Sequence, residues 1–275
     1  MTALFREYDD DVNYTINTNR SFTAFPRNVG FNDGLSAPQP DYLEGPSRVD
    51  FEPFPVSDVS GAVVFKDDRH SATLPHLAGE WKGPHGSKEQ TELQSSYDGA
   101  ALVYGRNQAL AHISKPDPPD HAAITTFVTD GKEIQFFANY STPPERHGSK
   151  EKYHQYSIVN SKLVETYESF KTARKQLRNA QDYAREQAYE LRDRLWEFQE
   201  KQDTTSQIAV PVPEEGLLHP PSGKLLEDEG EEGEDEKEDE EEEEEDESDE
   251  DENEEDEEEV LLVEHAGDDS EVIDE

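Results

Sequence analysis

The most sustained pattern in the chain is an apolar stripe on a 3.6-residue period. Leu163, Tyr167, Phe170, Ala173, Leu177, Ala180, Ala184, Ala188, Leu191, Leu195 and Phe198 recur at three- and four-residue steps, with no Gly or Pro among them. This spacing predicts one helix over about Lys162–Lys201 that packs its stripe against a core. A shorter helical pattern begins near Lys88 and runs to about Tyr104, carried by Leu93, Tyr97, Ala100, Ala101 and Tyr104. Between the two, Ile124–Thr129 and Ile134–Tyr140 are β-branched and aromatic runs around Asp130-Gly131. That arrangement predicts a β-hairpin, because Gly tolerates the positive φ of the tight turn. Gly61–Phe65 and Leu74–Lys82 are apolar runs ended by turn residues and read as two more strands.

Residues 1–35 scatter aromatics among polar residues with no period, as an arm lying on the domain would. The stretch Ala37–Pro46 holds three prolines, which keep the residues before them extended. Together these elements predict an α/β domain over residues 36–202, with a linker at 203–226 and an acidic tail at 227–275. No internal repeat is visible.

Charge separates the tail from the rest. The chain carries −42, and residues 227–275 hold 34 acids against a single lysine, which leaves −9 for everything before them. A tract so poor in apolar surface cannot offset the entropy of ordering it, so composition predicts a disordered tail. The absence of cysteine excludes disulfides, zinc–thiolate sites and a cysteine nucleophile. No apolar run approaches the ~20 residues that cross a bilayer, and the charged N-terminus has no signal core. These features predict a soluble intracellular protein that inserts in no membrane.

The candidate chemistry is acidic. Asp41 follows Pro40, and Glu80-Trp81-Lys82 closes an apolar run that a helix follows. Period-two geometry puts Glu80 and Lys82 on one face of a strand and turns Trp81 to the other. This order resembles the PD-(D/E)XK phosphodiesterase core, in which a Pro-Asp acid and an acid-x-Lys pair sit on adjacent strands. The resemblance implies a central mixed sheet flanked by helices and a Mg²⁺-dependent nuclease. Asp41 and Glu80 would hold the metal, Lys82 would orient water or stabilise developing charge, and Gln94 on the following helix would support the site. Asp50 is an alternative second ligand, and Glu44 lies close by. The family's four-residue Gln-to-Tyr step is not reproduced by Gln94 and Tyr97.

Longer segments are similar to a family of uncharacterised fungal proteins. Asn32–Asp41, Leu74–Lys82, Tyr97–Tyr104 and Leu177–Ala184 carry that resemblance, which spans most of residues 20–200 and implies no activity. His70, His76 and His85 cluster without a helical ligand pair. No Gly-x-Ser-x-Gly elbow, Walker loop or dinucleotide fingerprint is present, so hydrolase-triad, nucleotide triphosphatase and dehydrogenase chemistry have no support.

Lys171, Arg174, Lys175 and Arg178 form a basic stripe on the long helix that could neutralise phosphates, interleaved with the acids of a salt-bridged face. In the tail, Val260-Leu261-Leu262-Val263 follows the acids as a short β-prone run, the pattern of a SUMO-interaction motif that adds a strand to a sheet edge. Ser248 and Ser270, each followed by acids, resemble acidophilic-kinase sites. The tail would otherwise attract basic nuclear partners. Two functions follow: a Mg²⁺-dependent nuclease with an acidic regulatory tail, or a non-catalytic interaction protein of the same fold.

Overall fold

The computed structural model describes residues 4–6, 8, 10–83, 86–118, 121–144 and 151–208. Six strands form a single mixed sheet in sequence order: β1 (Tyr14–Asn17), β2 (Tyr42–Pro46), β3 (Leu77–Trp81), β4 (Ile124–Thr129), β5 (Glu133–Thr142) and β6 (Lys152–Lys162). Every neighbouring pair is antiparallel except β3 and β4, which are parallel. A parallel pair needs a crossover, and α1 (Lys88–His112) supplies it. The second helix, α2 (Tyr167–Ile208), follows β6 and covers the other face. At 1.5 Å per residue its 42 residues span about 63 Å.

Strand alternation assigns each face its own core. Leu43, Ala78 and Ile124 meet Ala101, Leu102 and Val103 of α1. Tyr42, Leu77, Phe127, Ile134 and Phe136 meet Ala173, Leu177 and Ala184 of α2. A third cluster closes one end, where Phe51, Phe54, Val56 and Leu74 pack between the last turns of α1 and Leu191 and Leu195 of α2. The predicted stripe of α2 is therefore the one that is buried, although the helix begins at Tyr167. Residues 152–162, which include Lys162, belong to β6 instead. Tyr167, counted on the stripe, is exposed.

The hairpin at Asp130-Gly131 is present as β4–β5, with Gly131 at φ +81°. The predicted strand at Leu74–Lys82 is β3. Gly61–Phe65 is not a strand: Gly61 turns at φ +72° and only Val63 bridges to Thr73. Ala62, Val64 and Phe65 are nonetheless buried, so this run serves the core without joining the sheet. No helix among the described residues is long and apolar enough to cross a membrane.

Candidate functional site: a carboxylate cluster beneath helix α1

Three elements bring acids together on the α1 face of the sheet. Tyr42 of β2 lies opposite Gly79 of β3, and continuing that antiparallel register puts Asp41 opposite Glu80. The backbone N–H of Trp81 donates to Asp41 Oδ2 at 2.7 Å, which fixes the Asp41 carboxylate against β3. Glu80 is only 5% exposed, and its carboxyl lies within reach of those of Asp98 and Asp41, both of which push its pKa up. Asp98 comes from α1, on the side that Thr91, Ser95 and Leu102 also turn inward, and is 2% exposed.

Burial, then the neighbouring carboxylates, hold Glu80 protonated far above the usual carboxylate range. Burial also raises Asp98, offset in part by the hydrogen bond from Glu80. Among the described residues, Asp98 Oδ2 is buried without a hydrogen-bond partner. With burial raising both Glu80 and Asp98, the pair is accommodated when one of the two carboxyls keeps its proton. Like charges this close cannot all ionise without a cation.

A polar layer continues from this cluster along α1. Ser95 Oγ donates to Thr126 Oγ1 at 2.9 Å, and Asn139 Nδ2 reaches the same hydroxyl at 3.0 Å. Gln155 Nε2 reaches Ser95 Oγ from β6 at 3.1 Å. Gly99 permits this arrangement, because a Cβ there would overlap the Asn139 amide.

The residues expected from sequence divide. Asp41, immediately before β2, and Glu80 of the neighbouring β3 come together, and Lys82, just past the end of β3, lines a small cleft. Trp81 faces the opposite layer, near Phe5 and Phe127. Gln94 does not join them. It is exposed on another flank of α1, beside Leu93 and Tyr97. Asp98 is the α1 residue that meets Glu80.

Asp50 cannot replace Asp41, because it sits on a 3-10 turn with Arg192 Nη1 at 2.5 Å and Asn13 Nδ2 at 3.2 Å. Glu44 lies three residues from Asp41 and therefore points to the α2 face. There it accepts from Tyr42 Oη at 2.5 Å and Gln181 Nε2 at 2.8 Å.

The basic stripe of α2 is partly committed. Arg178 Nη2 donates to the carbonyl of Phe5 at 3.2 Å, and Lys171 pairs with Glu168 at 3.2 Å. Val260, Leu261, Leu262, Val263, Ser248 and Ser270 lie outside the described residues. So do His85 and the whole acidic tail.

Asp98 was legible in one respect. Thr91, Ser95, Asp98 and Leu102 recur at four- and three-residue steps, which places an acid on the inward face of a helix. Among the described residues, no three His, Asp or Glu side chains stand as a ready-made cation cage. The donor set itself, three carboxylates without sulfur or imidazole, is the chemistry that hard oxygen-seeking ions such as Mg²⁺ take. No family model matches this chain, and neither a curated protein nor a solved structure does.

Proposed function

We propose that the domain is a divalent-cation-dependent phosphodiesterase acting on nucleic acid, with Asp41, Glu80 and Asp98 as the cation ligands and Lys82 beside them. The observation that carries this reading is the convergence of Asp41, which leads into β2, with Glu80 of β3 and Asp98 of α1 in one carboxyl cluster. Adjacent strands bearing a Pro-Asp acid and an acid-x-Lys pair are also what the PD-(D/E)XK resemblance requires.

A bound Mg²⁺ would polarise the phosphate and lower the pKa of an attacking water. The chain's own residues prepare that site. Trp81 N–H holds Asp41 in place, and Glu80 and Asp98 keep a proton until a cation displaces it. Lys82, on the same strand face as Glu80, offers an ammonium to the negative charge that develops during hydrolysis.

The second reading is a non-catalytic interaction protein of this fold. The burial of Glu80 and Asp98, 5% and 2% exposed, favours it, because a cation and a substrate would have to reach them beneath α1. The two readings separate in a cleavage assay on the full chain. Labelled single- and double-stranded DNA and RNA are incubated with Mg²⁺ or Mn²⁺, beside Glu80→Gln, Asp98→Asn and Lys82→Ala. The phosphodiesterase predicts cleavage of at least one substrate, lost in all three variants while their thermal melts stay cooperative. Absence of cleavage with either metal on every substrate overturns it and leaves the scaffold.

A further inference from the structure

A cleft of about 110 Å³ opens between the first turn of α1 and the β4–β5 hairpin, lined by Lys82, Lys88, Thr91, Gln135 and Asn160 among others. Lys82, two residues beyond Glu80 in the chain and just past the end of β3, links it to the strand that carries the carboxylate cluster.

Two acids on its wall are already engaged. Asp130 accepts the N–H groups of Lys132 and Glu133 at 2.8 and 2.9 Å, which closes the hairpin turn. Glu133 pairs with Lys162 at 2.7 Å and accepts from Asn160 at 2.8 Å.

The lysines are held more loosely, by exposed partners. Lys82 forms no ion pair with a carboxylate among the described residues. Lys88 lies 3.6 Å from Glu92 in an exposed i,i+4 pair, and both lysines are within charge range of the exposed Glu89, contacts that water screens strongly. Gln135 adds a complementary feature. Its Nε2 donates to Ser157 Oγ at 3.1 Å, yet its buried Oε1 receives no hydrogen bond among the described residues. Two ammonium groups and a waiting acceptor suit a ligand that carries an anion and an N–H or O–H donor together.

We infer that this cleft binds the nucleotide unit next to the scissile phosphate, with Lys82 and Lys88 on its phosphate and Gln135 accepting from its sugar or base. The inference rests on the phosphodiesterase reading for its choice of ligand, but its test does not need cleavage. Lys88 and Gln135 are positioning residues here, outside the cation site.

The probe is a fluorescein-labelled, single-stranded dinucleotide bearing a 5′-phosphate, titrated into the full chain in chelator, with the 5′-hydroxyl dinucleotide as control. Inorganic phosphate and free mononucleotide are run as competitors at constant ionic strength. Lys88→Ala is expected to weaken binding about tenfold and to reduce the salt dependence by roughly one counterion. Gln135→Ala is expected to weaken it several-fold with the salt dependence unchanged. Equal affinity for the 5′-phosphate and 5′-hydroxyl probes, or no effect of Lys88→Ala, overturns the inference.

Competition by inorganic phosphate as strong as by mononucleotide would also overturn it, because it would reduce the site to a bare anion hole. The two claims fail separately. Phosphate-dependent binding without cleavage in any metal keeps the cleft and removes the phosphodiesterase. Cleavage with wild-type KM and kcat in Lys88→Ala does the reverse.

Discussion

Gln181 Nε2 donates to Glu44 Oε2 at 2.8 Å, joining the middle of α2 to β2 through two fully buried polar side chains. The same amide reaches the N-terminal arm, since its Oε1 accepts from the backbone N–H of Arg6 at 2.7 Å. Tyr42 and Tyr14 also donate to Glu44, at 2.5 and 3.4 Å, and among the described residues no cationic side chain does. Burial pushes the Glu44 carboxyl up to about 7, against the pull of those three donors. Asp182, on the next residue of α2, pushes the same way.

The sign of the resulting pH dependence follows from linkage. A carboxyl raised in the folded state holds its proton there while the unfolded chain has lost it, so stability falls as pH rises. The loss starts near the unfolded value of 4.5 and levels off above about 7. At about 1.4 kcal/mol for each pH unit between those values, it amounts to about 3 kcal/mol. Glu44→Gln is therefore expected to melt higher than the wild type at pH 8 and level with it at pH 5. Urea denaturation at the two pH values measures this, and equal gains at both would sink the assignment.

Gly79 has a different role, set by contact instead of charge. A Cβ there would overlap the Phe127 ring, which is itself fully buried against α2. Phe127 cannot withdraw without disturbing Tyr42 and Trp81, whose rings lie 6.0 and 6.3 Å from it. Gly79→Ala is expected to destabilise by about 3 kcal/mol, the upper end of the overpacking range. A denaturation midpoint within error of the wild type would show that β3 can shift, and with it Glu80.

Neutralising the carboxylate cluster is expected to separate stability from activity. Glu80 is raised, so the wild type loses stability as pH climbs towards the folded value, and Glu80→Gln removes that loss. In chelator the variant should melt above the wild type at alkaline pH, converge with it near pH 5, and have no cleavage activity. A variant that melts lower at every pH would mean that Glu80 is a structural acid with satisfied bonds.

What the sequence revealed depended on whether a pattern had a period. The α2 stripe and the β4–β5 hairpin were legible because apolar residues repeat there. Even so, Gln181 occupies a buried stripe position between Leu177 and Ala184, and a search for apolar residues settles on Ala180 beside it.

β6 escaped because it is an edge strand, so its Tyr, His, Gln and Ser residues need no apolar alternation. β2 escaped because Gly45 and Pro46 look like loop residues, although all five of its residues are buried. Gly45 is required there by the ring of Pro75, which leaves no room for a Cβ.

At the site, Asp41 and Glu80 were found from local motifs on two strands. Asp98 was not, because its role depends on the crossover that lays α1 over β3. Gln94 stands at the expected distance along that helix, but the helix phase turns it outward.

The central claim is that Asp41, Glu80 and Asp98 form one site in which a divalent cation takes the place of a carboxyl proton. Titrating Mn²⁺ into the full chain by calorimetry, in buffers of different ionisation enthalpy at pH 7, tests it directly. The tail's carboxylates are already ionised at that pH, so their binding releases no proton and does not mask the result. We predict one class of site that releases about one proton per cation, as displacement of a carboxyl proton requires, and that disappears in Glu80→Gln. Binding with no proton release, or release unchanged in Glu80→Gln, would contradict the account.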